Sequence, residues 1–262
     1  LLCSISFNAC KEDTKRDKEE YPPIVNVFDA YYEEGLKLNP LGATFEGDSR
    51  YNDTLPNFLS TSFEKQVKEY YTNYKSKLSN YQDANLSESE KMTKAILNWE
   101  CDINLEGLAF GNYTPIDQMW SMNLMIGQLA SGASAQPFKT VEDYNNWLLR
   151  LEDYSDWLAS AKSKMQEGIA IGNVLPKSLI KKVLPQLASV TAPELEDNLF
   201  YSPIKNFPKN FTDQEKTGLT NAYSKVITEK IIPGYDALHD FMNTDYMKAG
   251  RETSGIEGIP NG

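Results

Sequence analysis

Histidine is the residue type that most limits the chemistry this sequence can perform. The 262 residues contain one histidine, His239, so they cannot supply the His-Glu-x-x-His zinc site of a metalloprotease. The sequence also has no Gly-x-Ser-x-Gly nucleophile elbow, no P-loop and no Gly-x-Gly-x-x-Gly fingerprint. We interpret His239, which adjoins the apolar stripe of a predicted helix, as a structural or solvent-facing side chain. These residues alone predict neither a catalytic nor a metal site.

A cysteine near the amino terminus predicts a lipid anchor. The sequence opens on an apolar run at Leu1, reaches Ala9-Cys10 and becomes charged at Lys11. A small residue directly before the cysteine, with bulky Phe7 two residues further back, resembles a bacterial lipobox. Cys10 is therefore the expected lipidation site. The alternatives are a signal peptide cleaved elsewhere and a disordered chain end.

This reading divides the chain into three parts. Residues 1–10 are expected to be a truncated lipoprotein signal peptide, residues 11–23 a charged flexible tether, and residues 24–262 a helical region of one larger domain. The tripeptide Lys11-Glu12-Asp13 resembles a signal that sends lipoproteins of some Gram-negative bacteria to the cell surface, although a solvated linker explains it almost as well. The expected location is the cell envelope of a Gram-negative bacterium, in the outer membrane, at the surface or on the periplasmic face.

Composition bears on which partners the chain can take. The formal net charge of −11 opposes nucleic-acid binding, because phosphate contacts need clustered lysine and arginine. No run of about 18 apolar residues occurs, so the lipid anchor is the only membrane contact that the sequence predicts. A peptide or small-molecule substrate is left open. Cys101 lies on a predicted buried helix, where we expect a packed thiol and not a nucleophile.

Apolar spacing predicts helices along almost the whole chain after residue 23. A helix from Lys177 to about Val190 should be broken or bent at Pro185, and Pro233-Gly234 should kink the last helix. No period-two run of β-branched residues occurs. The predicted fold class is all-α, an array of long antiparallel helices arranged as helical hairpins, with irregular Gly/Pro-rich connections and few or no strands. Four predicted helices begin at capping boxes, which are Thr61 with Glu64, Ser87 with Glu90, Thr140 with Asp143, and Thr212 with Glu215.

Other segments carry more specific expectations. The helix after Thr140 has an apolar seam from Tyr144 to Met165, which predicts one arm of an intramolecular hairpin and not a dimer zipper. The helix after Ser87 is apolar on two faces and is predicted to lie at the centre of the core. The Met-rich residues 119–125 predict a short core helix or, alternatively, an adaptable binding surface. Residues 42–56 and 191–210 are expected to be irregular.

Three segments together resemble the bacterial proteins grouped as domain of unknown function 885. The first lies in residues 28–48 and contains FDAYYEE, LNPLGAT and GD. The second is the long helix from Tyr144 that ends before Pro176. The third combines IPGY at residues 232–235 with SGIEGIPNG at residues 254–262. The order and spacing of these segments make the combined resemblance fairly specific.

The resemblance implies a helical zinc metallopeptidase whose His-Glu-x-x-x-x-His-type signature lies well beyond residue 262. These residues would then be the amino-terminal part of the domain, truncated at its carboxyl terminus. They would form one wall of a substrate cleft, with no cofactor of their own and with zinc expected in the full-length protein. The substrate-side candidates are Gly255, Pro260 and Gly262, with Tyr113 as a second guess; turn chemistry is the alternative for all of them. The alternative function is a non-catalytic helical binding or scaffolding module of a surface lipoprotein.

Overall fold

The computed structural model describes residues 21–192, 194–260 and 262, so the predicted anchor at Cys10 lies outside the described residues. It confirms the all-α class. The described residues contain no β-strand, and an isolated bridge pairs Pro176 with Arg251. The helices are α1 (Ile24–Leu38), α2 (Pro40–Phe45), α3 (Thr61–Ser79), α4 (Glu88–Gly107), α5 (Met122–Ala130), α6 (Val141–Ile171), α7 (Lys177–Thr191), α8 (Ser202–Lys205), α9 (Asp213–Val226), α10 (Ile232–Phe241) and α11 (Met247–Ala249).

Capping side chains fix where four helices begin. The boxes at Ser87, Thr140 and Thr212 form as predicted at the starts of α4, α6 and α9. The prediction for α3 was wrong by one residue, because the side chain of Ser60, not Thr61, accepts a hydrogen bond from the backbone N–H of Phe63. Each such cap satisfies a backbone donor that the first helical turn leaves unpaired.

Two segments predicted to be irregular contain short helices. The side chain of Asn39 accepts a hydrogen bond from the Gly42 amide at 3.0 Å, and Pro40 occupies a position where a helix needs no N–H donor. This local cap starts α2 at Pro40, and the helix runs to Phe45, into the predicted loop of residues 42–56. Between residues 194 and 210 the chain likewise forms 3₁₀ turns and the single turn of α8.

The main core is built around α6. This helix buries Trp147, Leu151, Trp157 and other apolar side chains at no more than 1% exposure, and it packs against α9 and α10. At Gly234 a Cβ atom would lie 2.9 Å from Cδ1 of Leu158, so glycine allows α10 to approach α6 closely. The seam predicted for α6 therefore packs within the chain, as expected.

The last helices run on from one another without a break. A π turn at Ile227–Ile231 joins α9 to α10, and a second π turn at Met242–Tyr246 joins α10 to α11. Pro233 lies in the first turn of α10, directly after the first π turn, so the helical irregularity falls beside the proline, which has no N–H to donate. Helix α7 continues through Pro185 from Lys177 to Thr191, so it is not broken there, and the alternative of a bend at this proline stays a prediction.

Helix α4 does not lie at the centre of the core, and that prediction was wrong. Its one fully buried side chain is Cys101, which belongs to a smaller apolar cluster formed with α1 and α3. Its other stripe points to solvent. The exposed side chains of this stripe are Met92 (67%), Ile96 (54%), Trp99 (64%) and Ile103 (47%). We call these four residues the outer face of α4.

The Met-rich segment divides between core and surface. Helix α5 buries Ile126, Leu129 and Ala130, as the prediction of a short core helix requires. Met119 and Trp120, which precede it, are 75% and 86% exposed. No helix among the described residues has the length and apolar character needed to cross a membrane.

Candidate functional site

A groove opens where α1, α2, α3 and α4 face the carboxyl-terminal part of α6. Its volume of about 850 Å³ falls within the range of ligand-binding pockets. We call this cavity the aromatic groove because rings dominate its walls. The ring-bearing residues that line it are Phe28, Tyr31, Tyr32, Phe58, Phe63, Tyr70 and Tyr71.

Tyrosines of α1 and α3 pack together on one wall of the groove. The ring centroids of Tyr31 and Tyr70 are 5.2 Å apart, and those of Tyr70 and Tyr71 are 4.9 Å apart. Tyr74 packs behind them, edge-on to Tyr31 at 5.1 Å. The Tyr70 hydroxyl donates to the carbonyl oxygen of Tyr31 at 2.5 Å. Offset and edge-to-face ring pairs add stability beyond the area they bury, so this wall is held by packing.

Gly35 makes room for this arrangement. A Cβ atom at Gly35 would lie 2.9 Å from the hydroxyl oxygen of Tyr70. That distance is shorter than a van der Waals contact, so a larger residue would displace the ring. The glycine in the FDAYYEEGL segment therefore shapes the groove wall.

Glu100 is a partly buried carboxylate on the α4 side of the groove. Its negative charge acts on the hydroxyl groups of Tyr31 and Tyr71, which line the same groove. Burial, and next the charge of Glu100, raises the pKa of Tyr31 well above its ordinary value. The same two causes raise the pKa of Tyr71. Both phenols are therefore neutral at physiological pH.

The groove carries more negative than positive charge. Its charged lining residues are Glu46, Glu64, Glu100 and Lys164. Within the described part of the chain, none of these three glutamates forms an ion pair. Lys164, by contrast, pairs with Glu167 at 2.8 Å.

The structure brings two of the sequence-predicted candidates to the same end of α6. A Cβ atom added to Gly168 would lie 3.1 Å from Cβ of Tyr113, and a Cβ atom added to Gly172 would lie 3.2 Å from the ring of Pro260. Nζ of Lys164, which lines the groove, lies 6.0 Å from the centroid of the Tyr113 ring. Tyr113 thus lies near a residue that lines the aromatic groove but does not line the groove itself, while Pro260 packs one helical turn further along α6.

Gly255 and Gly262 take part in turns and do not line the groove. The carbonyl oxygen of Gly255 accepts a hydrogen bond from Nη1 of Arg251 at 2.6 Å. The amide of Gly262 donates to the carbonyl oxygen of Ile259 at 2.9 Å. Arg251 also donates through Nε to the carbonyl oxygen of Val174 at 2.8 Å, which attaches this turn to the connection between α6 and α7. The role of these glycines on the substrate side stays a prediction.

A fully buried arginine is the polar residue that sequence reasoning missed. Arg150 lies in the apolar seam of α6 with 0% exposure. Its guanidinium donates to the side chain of Gln136 (2.5 Å), the hydroxyl of Thr44 (3.0 Å) and the carbonyl oxygens of Tyr51 (2.6 Å) and Thr54 (3.0 Å). Burial lowers the pKa of Arg150 to about 10, while the charges of Asp53 and Asp153 oppose that shift. All four acceptors are neutral, so the arginine organises the α2 region mainly through hydrogen bonds.

The described residues do not fit a zinc site. Among residues 21–192, 194–260 and 262, no group of three or more His, Cys, Asp or Glu side chains is placed to hold a metal ion. His239 lies partly exposed, with Nδ1 3.6 Å from a carboxylate oxygen of Asp240. Cys101 is buried, and this burial raises the pKa of its thiol to about 11, as expected for a packed thiol.

The helices and the groove define an all-α protein with a lateral cavity, and sequence comparison identifies its family. The family model described as "Bacterial protein of unknown function (DUF885)" matches residues 40–262. The chain belongs to this family. The fold is also similar to the crystal structure of "the putative lipoprotein from Colwellia psychrerythraea", with a TM-score of 0.75 and 15% sequence identity. That match covers 91% of this chain and 43% of the other, so this chain spans less than half of the similar structure. No curated protein matches the sequence.

Proposed function

We propose that this chain forms one helical wall of the substrate cleft of a zinc metallopeptidase-like lipoprotein, whose catalytic metal is bound by residues beyond 262. The observation that supports the proposal most directly is the aromatic groove, a cavity of about 850 Å³ whose lining residue Lys164 lies near the predicted candidate Tyr113. Membership of DUF885 and a structural match that covers 43% of a longer chain are consistent with a partial domain.

In this proposal the described residues bind substrate and do not carry out the chemistry. The described side chains form no group that could hold a zinc ion, so no reaction step is assigned to them. The aromatic rings would cover apolar parts of a substrate and exclude water, while Glu100 and the hydroxyl of Tyr32 would fix its orientation. A site of this kind is apolar overall and has a few polar groups that determine specificity.

The test uses the whole gene product, purified and assayed for bound zinc and for hydrolysis of a mixture of short peptides. The proposal expects about one zinc per molecule and peptide hydrolysis that a chelator abolishes. Tyr32→Ala removes an exposed ring from the groove wall and should raise KM about three- to tenfold with little change in kcat, since it removes binding that is equal in ground and transition states. Trp99→Ala, on the outer face of α4, is the matched control and should leave KM unchanged. A metal-free and inactive protein would contradict the proposal and leave the binding-module alternative.

The proposal includes export and anchoring through Cys10, in the envelope of a Gram-negative bacterium. A thioether-linked lipid supplies membrane affinity in proportion to the acyl chain that it buries. Cys10→Ala should move the protein from the membrane fraction to the soluble fraction, whereas Cys3→Ala should not. Membrane association that persists in Cys10→Ala would contradict anchoring at this cysteine.

A further inference from the structure

We infer that Glu100 and the tyrosines around it form a subsite for a positively charged group of a peptide, either a lysine or arginine side chain or a free amino terminus. The inference rests on the proposed function for the statement that the ligand is a peptide. The location and the charge of the subsite come from the groove itself.

The first support is the free acceptor capacity of Glu100. An ionised carboxylate has about four lone-pair positions and can accept several hydrogen bonds. No ion pair in the described part of the chain engages Glu100. A partly buried carboxylate in this state would gain a charge-assisted hydrogen bond from an ammonium or guanidinium group that entered the groove.

The second support is the set of ring faces beside that carboxylate. A cation near the face of an aromatic ring is attracted by the negative potential of that face. The tyrosine cluster already binds one cation in this way on its outer side, where Nζ of Lys77 lies 4.3 Å from the centroid of the Tyr74 ring. Tyr31 and Tyr71 line the groove side of the same cluster, next to Glu100.

The third support is that the groove has no cation of its own to neutralise this end. Lys164 is the one basic side chain among the lining residues. It pairs with Glu167 and lies near the ring of Tyr113, so it is engaged at the α6 end. Glu46 and Glu64 add negative charge to the same cavity, which favours a cationic ligand over a neutral or anionic one.

The test compares three capped amino acids, Nα-acetyl-lysine N-methylamide and its norleucine and glutamate counterparts, by titration calorimetry on the whole gene product. The norleucine compound matches lysine in length and lacks its charge. We expect the lysine compound to bind about five- to tenfold more tightly than the norleucine compound, and the glutamate compound to bind most weakly. Alanine N-methylamide, with a free amino group, distinguishes an amino terminus from a side chain as the bound group.

Variants then assign the preference to Glu100. Glu100→Gln should reduce the affinity for the lysine compound to that for norleucine, whereas Glu69→Gln, on the exposed side of α3 near Lys65, should have no effect. If Glu100→Gln misfolds, the wild type is titrated at 0.5 M NaCl instead. Salt should remove most of its preference for the lysine compound over the norleucine compound, because it screens the charge of Glu100. Equal binding of the lysine and norleucine compounds, absence of binding, or a preference that persists in Glu100→Gln would overturn the inference. These binding measurements do not depend on zinc or on hydrolysis. The inference can therefore fail while the proposed function stands, and the proposed function can fail while the inference stands.

Discussion

The guanidinium of Arg150 donates from Nη2 to the hydroxyl of Thr44 at 3.0 Å, and this bond joins residues 106 positions apart in the chain. Thr44 closes the LNPLGAT segment, and its hydroxyl also lies 2.7 Å from Oδ1 of Asn52. LNPLGAT, one part of the sequence that carries the family resemblance, therefore supplies a hydrogen-bond acceptor to the buried guanidinium of Arg150 on α6. Its role in the described structure is to hold α2 and the following turn against α6.

Replacing Arg150 should cost much of the stability of the fold. Arg150→Met keeps the length of the side chain but leaves the buried acceptors of Tyr51, Thr54 and Gln136 without their donor. We expect a loss of about 3 kcal/mol in the free energy of unfolding, measured by urea denaturation. Arg50→Met is the control, because Arg50 is 53% exposed in its ion pairs with Glu33 and Asp48 and should cost less than about 1 kcal/mol. Equal losses in the two variants would contradict this account of Arg150.

The outer face of α4 should contribute little to stability despite its apolar character. Trp99 is 64% exposed, whereas Trp157 is 0% exposed in the main core. Trp99→Gln should change the free energy of unfolding by less than about 0.5 kcal/mol, and Trp157→Ala should lower it by about 3–5 kcal/mol. The same denaturation experiment measures both. A large loss in Trp99→Gln would show that this face is covered in solution.

The thiol of Cys101 should be nearly inert in the folded protein. Its pKa is raised to about 11 by burial and by the charge of Glu100, so only about one thousandth is thiolate at pH 8. We expect a disulfide reagent such as Ellman's reagent to react slowly with a Cys3→Ser/Cys10→Ser variant and rapidly once urea is added. Rapid reaction of the folded variant would contradict a packed thiol.

Buried tyrosines should make the fold sensitive to alkali. Burial raises the pKa of Tyr246 to about 12, above the value of about 10 for an unfolded tyrosine. Because the folded pKa is the higher one, the stability due to this group is fully present below about pH 10 and is lost as pH rises through about 12. Absorbance of phenolate at 295 nm should therefore rise in step with loss of helical circular dichroism. Full ionisation with the helices intact would contradict the burial of these rings.

Much of the fold could be predicted because its signals are local. The boxes at Ser87, Thr140 and Thr212 involve side chains within one helical turn, and the α6 seam is a single strong pattern. The cap of α3 was predicted one residue too late, because Ser60 and Thr61 are adjacent and the side chain of either can accept a hydrogen bond from the first helical turn. For α4 the pattern was ambiguous, since a helix with two apolar stripes does not show which stripe is covered.

The groove could not be predicted because its parts come from distant segments. Tyr31 and Glu100 lie on different helices, and no short motif predicts that they line one groove. Tyr113 was singled out from the sequence and lies near Lys164, which lines the groove, and its role on the substrate side stays a prediction. Arg150 left one usable signal, a charged residue among the apolar positions of the seam between Trp147 and Leu151.

In the function proposed for this chain, the aromatic groove binds the substrate of a zinc-dependent peptidase. The most direct test is the steady-state hydrolysis of one peptide substrate by the whole gene product with its zinc content measured, in the wild type and in Tyr32→Ala. We predict about one zinc per molecule, and a KM that is about three- to tenfold higher in the variant at nearly constant kcat. A zinc-containing, active enzyme whose KM does not respond to Tyr32→Ala would contradict the groove as the binding wall, and a protein with neither zinc nor activity would contradict the peptidase.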